Sequence, residues 1–227
     1  MLSGASIAGL LERPDDGDPL VVAPQPNLVE LRESGAAALD LRLGTWFLIP
    51  KRGSMNMLRV KHRIPNLPSA GSRRSETYDG DGSTEVQELR EPTWTDSRYV
   101  PPGKSFVLHP RSFVLAVTLE WIRMTTQHAA YVTGKSSWGR RGLVIETAPG
   151  VHPGFSGCLT LELANVGEVP LELVPGIRIC QLFIHSLEGR GDSSGRGRFV
   201  GRRQPAVGQI ETDEFVERLK KHGCEPT

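Results

Sequence analysis

A mostly β fold, a barrel or sandwich with a few short helices, is what the 227-residue sequence predicts. Three observations carry that expectation. The chain holds 25 Gly and 17 Pro, close to a fifth of all residues, which disfavours long helices. From residue 105 onward, short runs rich in Val, Leu, Ile and Phe recur about every 8–12 residues, with Gly or Pro between them. Several runs alternate apolar and polar residues, the period of a strand.

The elements follow in order. Residues 1–11, Met1 to Leu11, read as a short amphipathic helix, and Leu20 to Ala23 as an extended segment before Pro24-Gln25-Pro26. The run Ala38 to Gly44 puts Leu39, Leu41 and Leu43 on one face and Asp40 and Arg42 on the other. Residues 51–104 are polar and rich in Gly and Ser, the pattern of an exposed loop insertion. Strands are predicted at 105–110, 113–120, 130–133, 142–147, 157–163, 170–174 and 177–183. In 157–163, Leu159, Leu161 and Leu163 face one way and Thr160 and Glu162 the other. Residues 1–188 form the main domain on this basis. The tail, 189–227, holds a Gly- and Ser-rich flexible stretch, a basic run Arg196 to Arg203 and a final helix at 211–222.

Composition removes several function classes. Hydrophobic residues make up 38% of the chain, enough for a core. Lys and Arg (27) nearly balance Asp and Glu (26), so no global field attracts nucleic acid, and an anionic ligand must be met by a local cluster. No window approaches the ~20 apolar residues of a membrane span. The N-terminus lacks the basic region of a signal peptide, and a cytoplasmic protein is expected. Three cysteines, Cys158, Cys180 and Cys224, with no close pair support neither a disulfide scaffold nor a zinc site.

Three features carry chemistry. In Gly134-Lys135-Ser136-Ser137-Trp138-Gly139-Arg140-Arg141-Gly142, backbone N–H groups can face an anion, and Ser136 and Arg140 share a face if the segment is a helical turn. A capped turn with surface charges has the same pattern. Glu162 is either an ordinary solvated carboxylate or, if its face lines a pocket, a general base. Gly150 to Gly157 forms a rigid turn that presents His152 and Phe155, or serves only as a tight β connection.

These blocks together resemble the dCTP deaminases, a branch of the dUTPase-like trimeric superfamily. The likeness runs through Gly134-Lys135-Ser136-Ser137, Arg140, Gly142-Leu143, Thr147-Ala148, Pro153-Gly154-Phe155-Ser156-Gly157, Leu161-Glu162 and Asn165. It extends to Asp40-Leu41-Arg42-Leu43-Gly44, Leu108-His109-Pro110, Leu115 to Glu120, Pro175-Gly176 and Gln181-Leu182. The resemblance implies a dUTPase-like distorted jelly-roll β-barrel and a homotrimer with active sites between subunits. It implies zinc-free deamination of dCTP to dUTP and ammonia, with Glu162 as the base that activates water for attack on cytosine C4. Ser136 and the Ala148 carbonyl would hold that water, and Arg140 would support Glu162 and the developing charge. Lys135, where the family usually has Arg, Ser137, Arg198 and Arg202 would bind substrate, with His152 and Phe155 at the nucleoside. Mg2+ would arrive on the nucleotide triphosphate, dTTP is an expected feedback ligand, and the C-terminal arm would close over the nucleotide.

Two departures bear on specificity. His152 stands where the family commonly has an Asp that contacts the sugar 3′-hydroxyl and, in dUTPases, positions the hydrolytic water. Imidazole is no anionic acceptor. The tail reads Arg198-Phe199-Val200-Gly201-Arg202-Arg203-Gln204-Pro205 where the family has a pattern closer to Lys-Tyr-Gln-Gly-Gln-x-Gly-Pro. The alternatives are the same chemistry on CTP, dCMP or a modified cytosine nucleotide, a dUMP-forming bifunctional enzyme, and a nucleotide sensor without turnover.

Overall fold

The computed structural model describes residues 1–13, 17–51, 95–145, 150–189, 191 and 201–207, and residues 73–78 and 84–89 through their backbone. Two compact units are present: Met1–Pro50 with Ser97–Ala206, and Lys51–Asp96 with Val207–Thr227.

The first unit begins with α1 (Gly4–Leu11), whose Ser3 cap accepts the Ser6 N–H at 3.2 Å. Helix α1 buries Ile7, Ala8 and Leu11, in keeping with the predicted amphipathic segment. Strand β1 (Val21–Ala23) leads to α2 (Leu28–Glu33), whose six residues are too few to show a helical period in the sequence. Its cap Asn27 accepts N–H bonds from Val29 and Glu30.

The predicted strands are present, several of them longer than expected. They are β2 (Leu39–Pro50), β6 (Phe106–Leu108), β7 (Phe113–Arg123), β8 (His128–Gly134) and β9 (Leu143–Ile145). The two-residue β10 (Gly150–Val151) precedes β11 (Ser156–Asn165), β12 (Leu171–Leu173) and β13 (Arg178–Ser186). Between β8 and β9 lies the one-turn helix α3 (Ser136–Gly139). The main sheet runs β10-β8-β13-β2-β7-β11-β9, with β6 and β12 paired apart. Alternation along these strands buries Leu41, Leu43, Phe47, Leu161, Leu163, Ile179 and Leu182 in one core. The mostly β expectation therefore holds.

In the second unit, β3 (Arg73–Tyr78) and β4 (Thr84–Leu89) pair antiparallel, and β5 (Thr95–Tyr99) begins at its boundary. The sequence predicts an exposed loop insertion over 51–104, whereas the structure has strands there. Backbone pairing needs no apolar face, so polar strands such as β3 leave little hydrophobic signal.

Register is broken twice at the centre of the sheet. Leu43 pairs Thr118 but Phe47 pairs Ala116, and Cys158 pairs Trp121 but Thr160 pairs Val117. Side chains replace the lost ladder bonds. The Thr118 hydroxyl donates to the Glu120 carbonyl at 2.8 Å and accepts the Leu159 N–H at 2.9 Å. The Glu120 carboxylate accepts the Arg42 N–H at 2.8 Å. Among the described residues no helix is long and apolar enough to cross a membrane.

Candidate functional site

Strand β11 sorts its side chains strictly. Gly157, Leu159, Leu161, Leu163 and Asn165 are buried, while Ser156, Cys158, Thr160, Glu162 and Ala164 line a half-buried face. Glu162 lies opposite Leu115 of β7, and its neighbour Leu163 lies opposite Ile145 of β9. A methyl group added at Gly134 would sit 3.3 Å from the Ile145 side chain, so the end of β8 is packed against the strand that pairs β11. Lys135 and Ser136 follow Gly134 directly. The predicted phosphate turn and the predicted base thus lie on adjoining parts of one sheet.

The turn itself is helical, which meets the condition under which Ser136 and Arg140 share a face: the Arg140 N–H donates to the Ser136 carbonyl at 3.0 Å. Ser136, Ser137 and Arg140 are exposed. Lys135 is held more tightly. Its N–H donates to the Ile179 carbonyl at 3.0 Å, and its Nζ donates to both Asp40 oxygens at 2.6 and 2.7 Å. Asp40 also accepts from Gln181 Nε2 at 3.0 Å and lies 3.7 Å from Arg178 Nη1. Asp40 and Gln181 are register partners on β2 and β13. Neither was chosen as a site residue from sequence. The available signal was the alternation that turns Asp40 away from Leu39 and Leu41.

His152 and Phe155 share the turn between β10 and β11. The His152 carbonyl accepts the Phe155 N–H at 3.1 Å, its side chain is exposed, and Phe155 packs on the core. Gly154 closes the turn with a φ of 72°, and its N–H donates to the Thr125 carbonyl at 3.1 Å. Arg202 runs beside the first residues of β11, its carbonyl accepting the Cys158 N–H at 2.9 Å. A cavity of about 210 Å³ opens there, lined by Trp46, Thr118, Trp121, Cys158 and Arg203 among others. Burial pushes the Cys158 thiol above its ordinary pKa, with Arg203 opposing. Ala148, Arg198 and the predicted helix at 211–222 lie outside the described residues.

Comparison with known proteins adds an independent line. A family model described as dCTP deaminase-like matches residues 6–187. A "dCTP deaminase" of Natronomonas pharaonis is 32% identical over 215 residues, spanning 92% of this chain and 95% of the relative. A "dCTP deaminase, dUMP-forming" of a Sulfurihydrogenibium species is 37% identical over 131 residues, 57% of this chain and 73% of the relative. Among solved structures, the 2′-deoxycytidine 5′-triphosphate deaminase of Agrobacterium tumefaciens aligns with a TM-score of 0.49 at 17% identity. That alignment covers 82% of this chain and 47% of the other, so the chain spans about half the length of that protein. With a family model covering most of its length and a relative matched nearly end to end, the chain belongs to the dCTP deaminase-like family of enzymes.

Proposed function

We propose that this protein hydrolytically deaminates dCTP at cytosine C4, releasing dUTP and ammonia. The observation that carries the proposal is Glu162, a half-buried carboxylate in mid-strand in a chain of this family. Glu162 takes a proton from water as the water oxygen adds to C4, and passes that proton to ring N3. The second proton of the added water then moves through Glu162 to the amino group. The C4–N bond breaks, ammonia leaves, and the C4 carbonyl forms. Ser136 and the Ala148 carbonyl orient the water, and Arg140 supports the carboxylate and the developing charge. Lys135, Ser137, Arg198 and Arg202 meet the phosphates, while His152 and Phe155 face the nucleoside. Magnesium enters as part of the substrate, on the triphosphate. The working form is a cytoplasmic homotrimer with sites between subunits, and dTTP is the feedback ligand.

Relatives carry both names, with and without dUMP formation, so the released product depends on whether a second water is positioned. Cleaving the triphosphate needs a group that orients a second water. The side chain at the turn is His152, an exposed imidazole without a carboxylate's acceptor oxygens. This supports dUTP as the released product.

The test is chromatography of purified protein incubated with dCTP, CTP and dCMP, with ammonia measured in parallel. Ammonia and dUTP from dCTP are expected. Equal rates on CTP would place the activity on ribonucleotides as well. Tight binding of dCTP or dTTP without any turnover would replace the enzyme by a sensor.

A further inference from the structure

Lys135 already has an anion. Both oxygens of Asp40 lie at 2.6 and 2.7 Å from its ammonium, and the pair is three-quarters buried on each side. Asp40 is itself fixed, by its register partner Gln181 at 3.0 Å and by Arg178 at 3.7 Å, while Arg178 is braced by Glu30 at 3.2 Å. An ammonium has three donors. Two point at Asp40, so a phosphate oxygen arriving at Lys135 meets a cation whose charge is largely spent.

We propose that Asp40 is an internal competitor for phosphate at Lys135, which the substrate must displace and which keeps the site clear of weakly bound anions. This rests on the assignment of Lys135 to the phosphates. Displacing Asp40 lowers the affinity of every anion by the same factor. A ligand with several phosphates and further contacts still binds tightly, whereas orthophosphate occupies the site only weakly. A lysine suits the exchange, since its compact charge on a flexible stem moves between partners without the fixed fork of an arginine. Gln181 and Arg178 remain to hold the Asp40 carboxylate once Lys135 has left it.

The test is calorimetric titration of the full-length protein with inorganic tripolyphosphate and with orthophosphate, without divalent metal. Four proteins are compared: wild type, Asp40→Asn, Lys135→Ala and the double variant. Asp40→Asn is expected to bind both anions about fivefold more tightly, the scale of one partly exposed ion pair. The gain disappears when Lys135→Ala is added. Asp40→Ser is expected to give the same gain and serves if the Asn variant does not fold. With dCTP, Asp40→Asn lowers KM rather than raising kcat. Unchanged or weaker anion binding by the Asp40 variants, or an equal gain with Lys135→Ala present, overturns the proposal. Turnover of dCTP by wild type is a separate readout. An inactive protein that shows the gain contradicts the deaminase assignment alone, and an active one without it contradicts the role of Asp40 alone.

Discussion

Glu120 of β7 grips Arg42 of β2 twice: its carboxylate accepts the Arg42 backbone N–H at 2.8 Å and the guanidinium at 3.0 Å. Glu120 is 1% exposed and sits in the stretch of β7 between Val117 and Trp121 where the register with β11 breaks. Glu120→Ala leaves a backbone donor orphaned and a cation unpaired. The Arg42 side chain is one-third exposed, 33%, which places the expected loss at the low end for a broken buried pair, about 3 kcal/mol. Glu120→Gln keeps an acceptor for the N–H and loses less, about 1–2 kcal/mol. Urea denaturation of the three proteins measures both.

Gly142 adopts a φ of 88°, and a methyl group there would lie 2.7 Å from the Gly167 nitrogen. Gly142→Ala therefore meets both backbone strain and a backbone clash, and about 2–3 kcal/mol of stability is expected to be lost. Gly35, with a φ of 62° and nothing within 4 Å of the added methyl, is the control. Gly35→Ala carries the strain alone, about 1 kcal/mol. Thermal unfolding ranks the two.

Much of this architecture was legible in the sequence, for a physical reason. Strands buried on one face, such as β11, must alternate, so Leu159, Leu161 and Leu163 announce both the strand and the outward Glu162. What escaped depends on register between distant strands. That Asp40 meets Lys135 requires β2 to lie beside β13 and β13 beside β8, and that Glu120 meets Arg42 requires β2 to lie beside β7. Neither pairing has a local sequence signature. The helix α2 and the hairpin β3–β4 escaped because short or polar elements lack a periodic apolar face.

Burial lowers the pKa of His128, with Asp18 opposing, and its Nδ1 lies 2.7 Å from the Thr125 hydroxyl. A histidine whose folded pKa falls below the unfolded value binds fewer protons when folded. Its contribution to stability is present above the ordinary value of about 6.5 and is lost as pH falls through it. Wild type is expected to lose Tm between pH 7.5 and pH 5.5 more steeply than His128→Gln. Parallel pH curves for the two proteins would remove His128 from the effect.

The exposed His152 sits in the turn between β10 and β11, where the sequence resemblance implies an acidic side chain in the family. His152→Asp is expected to lower KM for dCTP about tenfold, the scale of a hydrogen bond to a charged acceptor. A dideoxy analogue lacking the 3′-hydroxyl gains nothing. Steady-state kinetics on both nucleotides check this, and an equal effect on both places His152 away from the sugar.

The most direct measurement is ammonia release from dCTP by wild type and by Glu162→Gln at equal folded concentration. Wild type is expected to turn over, and the variant to fall by at least about 100-fold in kcat, the scale of a lost general base. Turnover by Glu162→Gln within a few-fold of wild type, or no turnover by wild type on any cytosine nucleotide, contradicts the assignment of Glu162 as the base that activates water.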